Sequence, residues 1–144
     1  MAGLGENLRA LALAHRVPVL VTETAAGHSL TDYAALEGLA GMARKGPAAG
    51  PAEAASIPWP MSAEGQRRFL RDLAETIRET PEGLGAGFVW WEPAWLPVPG
   101  SGWATEAGRR YLGDARPGGN EWANQTLFDY EGRALPAMEI IKNL

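Results

Sequence analysis

Residues 17–23 read VPVLVTE. A β-branched and aliphatic run of this kind is the pattern of a strand buried on both faces, as in a parallel sheet. It ends on Glu23, which has a threonine on either side and no neighbouring charge to pair it. A carboxylate leaving the core there either closes the strand as an ordinary solvated or capping residue, or stands at the mouth of a site. Upstream, LGENLRALALAH at 4–15 sets Leu4, Leu8 and Leu11 at helical spacing, which predicts an amphipathic helix.

Downstream, LTDYAALEGLAG is read as a helical turn or two. Residues 41–60, rich in Ala, Gly and Pro, are read as an irregular loop. Ser62 suits the N-cap of a helix with Glu64 in its first turn, and Phe69, Leu70, Leu73 and Ile77 form its apolar stripe. AGFVWWEPAW then predicts a second strand, stopped by Pro93, which cannot donate to a ladder. Residues 96–122 are a Gly- and Pro-rich loop. A turn at Glu131-Gly132 leads to a last helix with Ala134, Leu135, Met138 and Ile141 on one side.

The order helix, strand, long loop, helix, strand, long loop, helix is βα repetition, with parallel strands and a right-handed crossover. Both strands end in a glutamate, Glu23 and Glu92, and both tryptophan-bearing loops leave from the same edge. In βα-barrels the site is built at that edge. A closed barrel takes roughly 250 residues, so two strands need neighbours. A sheet with unpaired edges also predicts poor solubility.

The 144 residues suffice for one domain. With 46% hydrophobic and 21% charged residues the composition is globular. A net charge of -4 without a basic block argues against nucleic acid or an anionic membrane as partner. The absence of cysteine excludes disulfides and thiolate chemistry. The N-terminus has no signal-peptide pattern, and no stretch is long enough to span a bilayer. Six tryptophans are many for this length, and aromatic side chains of this kind often serve as platforms for sugars.

Four blocks now stand in order: RVPVLVTETA at 16–25, GQRRFLRDL at 65–73, GAGFVWWEPAW at 85–95 and NEWANQTLFDYEGRALPAM at 120–138. Together they resemble the C-terminal part of the glycoside hydrolase family 53 endo-β-1,4-galactanases. The WEPAW and W-x-N-Q-x-L-F-D-x-x-G-x-A-L blocks are the more specific. The resemblance implies an α/β fold, a partial (β/α)8 barrel comprising the last two βα units with long βα loops. Residues 1–144 would form a single C-terminal fragment of the catalytic domain. It implies retaining cleavage of β-1,4-galactan in arabinogalactan or pectin side chains. Alternatives are a non-catalytic remnant, or a cellulase- or mannanase-like member of the same clan.

By the same resemblance Glu23 matches the catalytic nucleophile. Trp91 and Glu92 match the motif in which the tryptophan floors the sugar site, Trp122 and Asn124 fall in the loop block that shapes the cleft or holds the loop, and Trp95 is a loop aromatic read as a sugar contact or loop anchor. The family's acid/base glutamate, in an Asn-Glu motif after strand 4, has no counterpart here, so this chain alone is expected to be inactive. The missing barrel half would be another chain if it exists. Glu92 is a poor substitute acid, because on a regular strand it alternates away from Trp91. Relatives of this kind are secreted, whereas this chain shows no export signal. Some bind calcium through an Asp-rich segment that AAGHSLTDY does not reproduce, so no cofactor is expected. His28 and Asp32 share helical spacing but have no third ligand, so no metal site is assigned. Trp90 reads as core; Trp59 and Trp103 read as sugar contacts or loop anchors, and Asp114 and Asp129 as turn residues.

Overall fold

The computed structural model describes residues 1–31, 50–96, 104–114 and 122–143. Helix α1 (Ala2–His15) leads into strand β1 (Val19–Thr24). Helices α2 (Pro51–Ala55) and α3 (Ala63–Arg78) follow, then a 3-10 turn at Pro81–Gly83 and strand β2 (Gly85–Trp90). Helix α4 (Glu106–Tyr111), a second 3-10 turn at Ala123–Gln125 and helix α5 (Ala137–Lys142) complete the order.

The two strands pair in parallel, with Val19 opposite Gly85, Val21 opposite Phe88 and Thr24 opposite Trp90. Helix α3 packs on β2 and α5, and α1 packs on α3 and β1. Leu8, Leu70, Leu73, Ile77, Trp90, Leu127 and Ala137 form the core between them.

Helix α3 begins where the sequence predicts. The Ser62 hydroxyl accepts the Gly65 amide at 3.0 Å, satisfying one of the donors a helix start leaves unpaired. Glu64 and Arg78 lie in the turns where the helix dipole favours them. Two glycines are required by close approach. A Cβ on Gly65 would sit 1.8 Å from the Pro60 carbonyl oxygen, and one on Gly85 would sit 2.0 Å from that of Ile77. The second contact lets β2 lie directly against α3.

Several expectations are corrected. In α1 Leu8 and Ala12 are buried and Leu4 packs against the core, while Leu11 is exposed. Among the described residues, strand β1 is covered on one face: Val19 and Val21 pack against the core, but Leu20 is 50% exposed. The Ala-rich loop contains α2, started by Pro51 at a position where a helix needs no amide donor. The second loop contains α4, capped by the Thr105 hydroxyl accepting from the Gly108 amide. Ala134 and Leu135 precede α5 instead of lying in it. The turns predicted after Leu30 lie mostly outside the described residues.

Candidate active site

The side-chain period of a strand is two, so Glu23 should point to the same side as Val19 and Val21. It does not. Thr22 and Glu23 are both exposed and Thr24 is buried. The backbone supplies the reason: Glu23 has φ 53, in the left-handed region, and the pairing register shifts between Val21 and Thr24. A bulge of this kind re-aims one side chain beside a ladder. Left-handed backbone at a residue with a Cβ costs about 1–2 kcal/mol, and such outliers gather at functional sites.

The end of β2 repeats the device. The Trp91 amide donates to the Thr24 carbonyl at 2.7 Å, which fixes Trp91 beside the chain leaving Glu23. Trp90 is 8% exposed, packs against Phe69 and donates its indole N–H to the Gln125 carbonyl at 3.0 Å. Trp91 is 42% exposed. Glu92 has φ 51, so the regular strand alternation ends before it. It is half-buried, and that burial pushes its carboxyl above the ordinary carboxylate range. Trp95 and Trp122 are half-buried.

Asn124 is buried rather than open to the cleft. Its carbonyl accepts the His28 amide at 2.7 Å, and its side-chain amide reaches the Ser29 carbonyl at 3.4 Å. His28 Nε2 pairs with the Ala123 carbonyl at 3.1 Å, and its ring meets Tyr130 at 5.3 Å. Burial holds the His28 pKa below the usual imidazole value, although its backbone hydrogen bonds oppose the shift. The Tyr130 hydroxyl donates to the Thr31 carbonyl at 3.0 Å. The Leu127 amide donates to the Pro93 carbonyl at 2.8 Å. Residues 123–130 thus form a polar seam between the segments that leave the two strands.

The geometry sorts the remaining candidates. Trp59 donates to Asp72 at 2.7 Å and stacks edge-on against Phe69, which makes it an anchor of its loop. Asp129 accepts the amides of Glu131 and Arg133, as a turn residue does, and these bonds hold its carboxyl below the ordinary range. Trp103 and Asp32 lie outside the described residues. Among the described residues no three His, Asp or Glu side chains gather as a metal set, and His28 Nε2 is engaged by Ala123. No described helix is long and apolar enough to cross a membrane.

Sequence reasoning missed Gln66. It lies on the α3 stripe with Leu70, Leu73 and Ile77 and is fully buried. Its signal was available: a polar residue in register with an apolar stripe. The site as a whole offers an exposed carboxylate at a strand end, an exposed indole beside it, and a buried seam holding both segments. That suits an apolar ring face on the indole and a polar reacting centre at the carboxylate.

Comparison with known proteins identifies the family. A protein of Niallia circulans described as "Uncharacterized protein in bgaB 5'region" is 42% identical over 84 residues, covering 58% of this chain and 20% of its own length. The endo-β-1,4-galactanase of Bacillus subtilis (strain 168) is 32% identical over 116 residues, 64% of this chain and 25% of the enzyme. The solved GH53 catalytic domain of Ignisphaera aggregans superposes with a TM-score of 0.74 at 29% identity, covering 96% of this chain and 33% of that domain. The chain therefore spans a fifth to a quarter of these two curated relatives and a third of the solved domain. Glycosyl hydrolase family 53 matches residues 1–141, and the chain belongs to that family.

Proposed function

We propose that this chain carries the nucleophile side of a retaining endo-β-1,4-galactanase barrel, corresponding to its last two βα units. The observation that carries the reading is the bulged Glu23. Glu23 is exposed, has left-handed backbone beside a register shift, and is followed by Thr24, whose carbonyl accepts the Trp91 amide. Family membership and the galactanase relative support the same assignment.

In this reading Glu23 attacks the anomeric carbon of a galactosyl residue held over Trp91, and Trp95 and Trp122 border the cleft. Retention needs a second carboxyl about 5–5.5 Å from the first, protonated at the start and later acting as base on water. That group belongs to barrel units outside these 144 residues, which form a C-terminal fragment of the catalytic domain. The substrate is β-1,4-galactan, and the chemistry runs on carboxylates without a cofactor. Asn124 serves as a brace within the seam, acting on the cleft through the loop it holds.

The test is release of reducing ends from β-1,4-galactan. The chain alone should release none. Mixed with the preceding barrel units of a family 53 galactanase it should restore turnover, and Glu23→Gln should abolish it, a loss of at least about 1,000-fold for a missing nucleophile. Turnover by the chain alone would overturn the division of the carboxylates. Absence of turnover in the complemented mixture would favour a non-catalytic remnant.

A further inference from the structure

Gln66 sits on α3 where one more aliphatic residue would complete the stripe, and it is fully buried. A buried amide costs free energy unless its polar atoms are paired. Its Nε2 donates to two backbone carbonyls, Ala26 at 3.0 Å and Thr126 at 2.8 Å. Its Oε1 has no hydrogen-bond partner among the described residues. If the position required only volume, a hydrocarbon would fill it without that unpaired acceptor.

The two carbonyls belong to the two segments that matter. Ala26 lies three residues past Glu23, and Thr126 lies between Gln125, which accepts the Trp90 indole, and Leu127, whose amide holds Pro93. The first segment also runs tightly over the start of α3. A Cβ on Gly27 would come within 2.1 Å of the Met61 methyl. One amide group therefore joins the chain leaving β1 to the chain that braces β2.

We propose that Gln66 is a positioning residue: by tying Ala26 to Thr126 it fixes the exit of β1 and thereby the direction of the Glu23 carboxylate. The proposal rests on the reading of Glu23 as nucleophile. Gln66 touches neither substrate nor the reacting atoms, and acts through the backbone of residues 24–28.

The deciding measurement is amide hydrogen exchange on the full chain carrying Gln66→Met, which keeps length and approximate volume but removes both donors. Two amides report on the tie: His28, bonded to the Asn124 carbonyl, and Leu127, bonded to the Pro93 carbonyl. Both should exchange about tenfold faster, while Leu73 and Ala74 within α3 stay within about twofold. Thr126→Val is the control. It removes the hydroxyl's bonds to Ala123 and Phe128 but keeps the carbonyl that Gln66 uses, so the His28 amide should not change. Should Gln66→Met fail to fold, Gln66→Asn retains the amide but is too short to span both carbonyls, and the same pattern is expected. An unchanged His28 amide, or an equal rise throughout α3, overturns the proposal. In the complemented barrel, Gln66→Met should lower kcat about tenfold with KM within about twofold, as misplacement of a reacting group does. A raised KM at constant kcat would overturn it as well. If no assembly cleaves galactan, the enzymatic reading falls while the exchange pattern still decides the role of Gln66.

Discussion

Trp90 and Trp91 are neighbours in sequence and opposites in circumstance. Trp90 points into the helix layer, where its ring lies against Phe69 and its N–H reaches the Gln125 carbonyl. Trp91 stands on the other face of the sheet with Leu20 and Val89, all about half exposed. The helix-side face holds the core cluster of Leu70, Leu73, Ile77, Trp90 and Leu127. The opposite face carries the same kinds of apolar side chain with little laid over them by the described residues. In a (β/α)8 barrel that second face is the barrel interior, filled by layers of side chains from all the strands. Glu23, at the end of β1, is exposed and has left-handed backbone. The difference teaches that the helix-side face supplies the core of this chain, and that in the proposed reading the open face would hold its chemistry.

The comparison is broken most severely on the packed face. Gly85→Ala would place a methyl 2.0 Å from the Ile77 carbonyl oxygen and 2.9 Å from its Cγ2, so β2 must move off α3. Overpacking of this kind costs about 1–3 kcal/mol. The high end is expected, because the colliding atom is backbone and cannot rotate away. Urea unfolding followed by tryptophan fluorescence should show the lowered midpoint. Trp90 should report it more strongly than Trp91, which single Trp→Phe backgrounds would separate.

The second effect is a slope rather than a step, and it belongs to the seam between the two faces. Burial lowers the pKa of His28 in the folded chain, with Asp129 opposing weakly. The unfolded chain then binds the proton more readily. Stability is complete above the ordinary imidazole value of about 6.5 and falls as the pH drops below it. His28→Gln should flatten that part of the profile, measured as unfolding free energy between pH 7.5 and 5. If the slope persists, His28 is not the group that titrates.

Much of the packed face was legible in the sequence. The Ser62 cap and the stripe of Leu70, Leu73 and Ile77 announced α3, and the aliphatic run before Glu23 and Pro93 after Glu92 bounded the strands. Glu23 and Trp91 were singled out, and the structure brings them to adjacent strand ends. What stayed hidden depends on the partner across the gap. The run VPVLV reads as buried on both faces because its composition does not say whether a second layer is present. The bulge at Glu23 was invisible for a different reason: a register shift is set by the opposing strand, and glutamate carries no left-handed signal as glycine does. Helices α2 and α4 were lost in Ala-, Gly- and Pro-rich composition, although Pro51 and Thr105 stand where helix starts favour them. His28 reads as a possible metal ligand only on helical spacing, whereas residues 25–31 form no helix and its ring bonds a backbone carbonyl 95 residues away.

The smallest effect is the sharpest test of the comparison. Leu20→Thr and Val89→Thr each replace an aliphatic side chain, about half exposed, on the open face with a β-branched polar one that suits a strand. If that face lacks a covering layer in the isolated chain, little apolar area is lost from the folded state. Each change should then shift stability by no more than about 0.5 kcal/mol, as surface substitutions do. Self-association should fall at the same time, because the pair removes apolar area beside the strand edges where chains would meet. Sedimentation at several concentrations measures that part. In the complemented barrel the same two substitutions should become costly, because Leu20 and Val89 would then face other strands across a filled interior. Each would bury a hydroxyl there in place of hydrocarbon, at about 1–3 kcal/mol. A large loss in the isolated chain would mean that the open face is already covered. Equal small losses in both states would mean that the complementing strands do not pack against it.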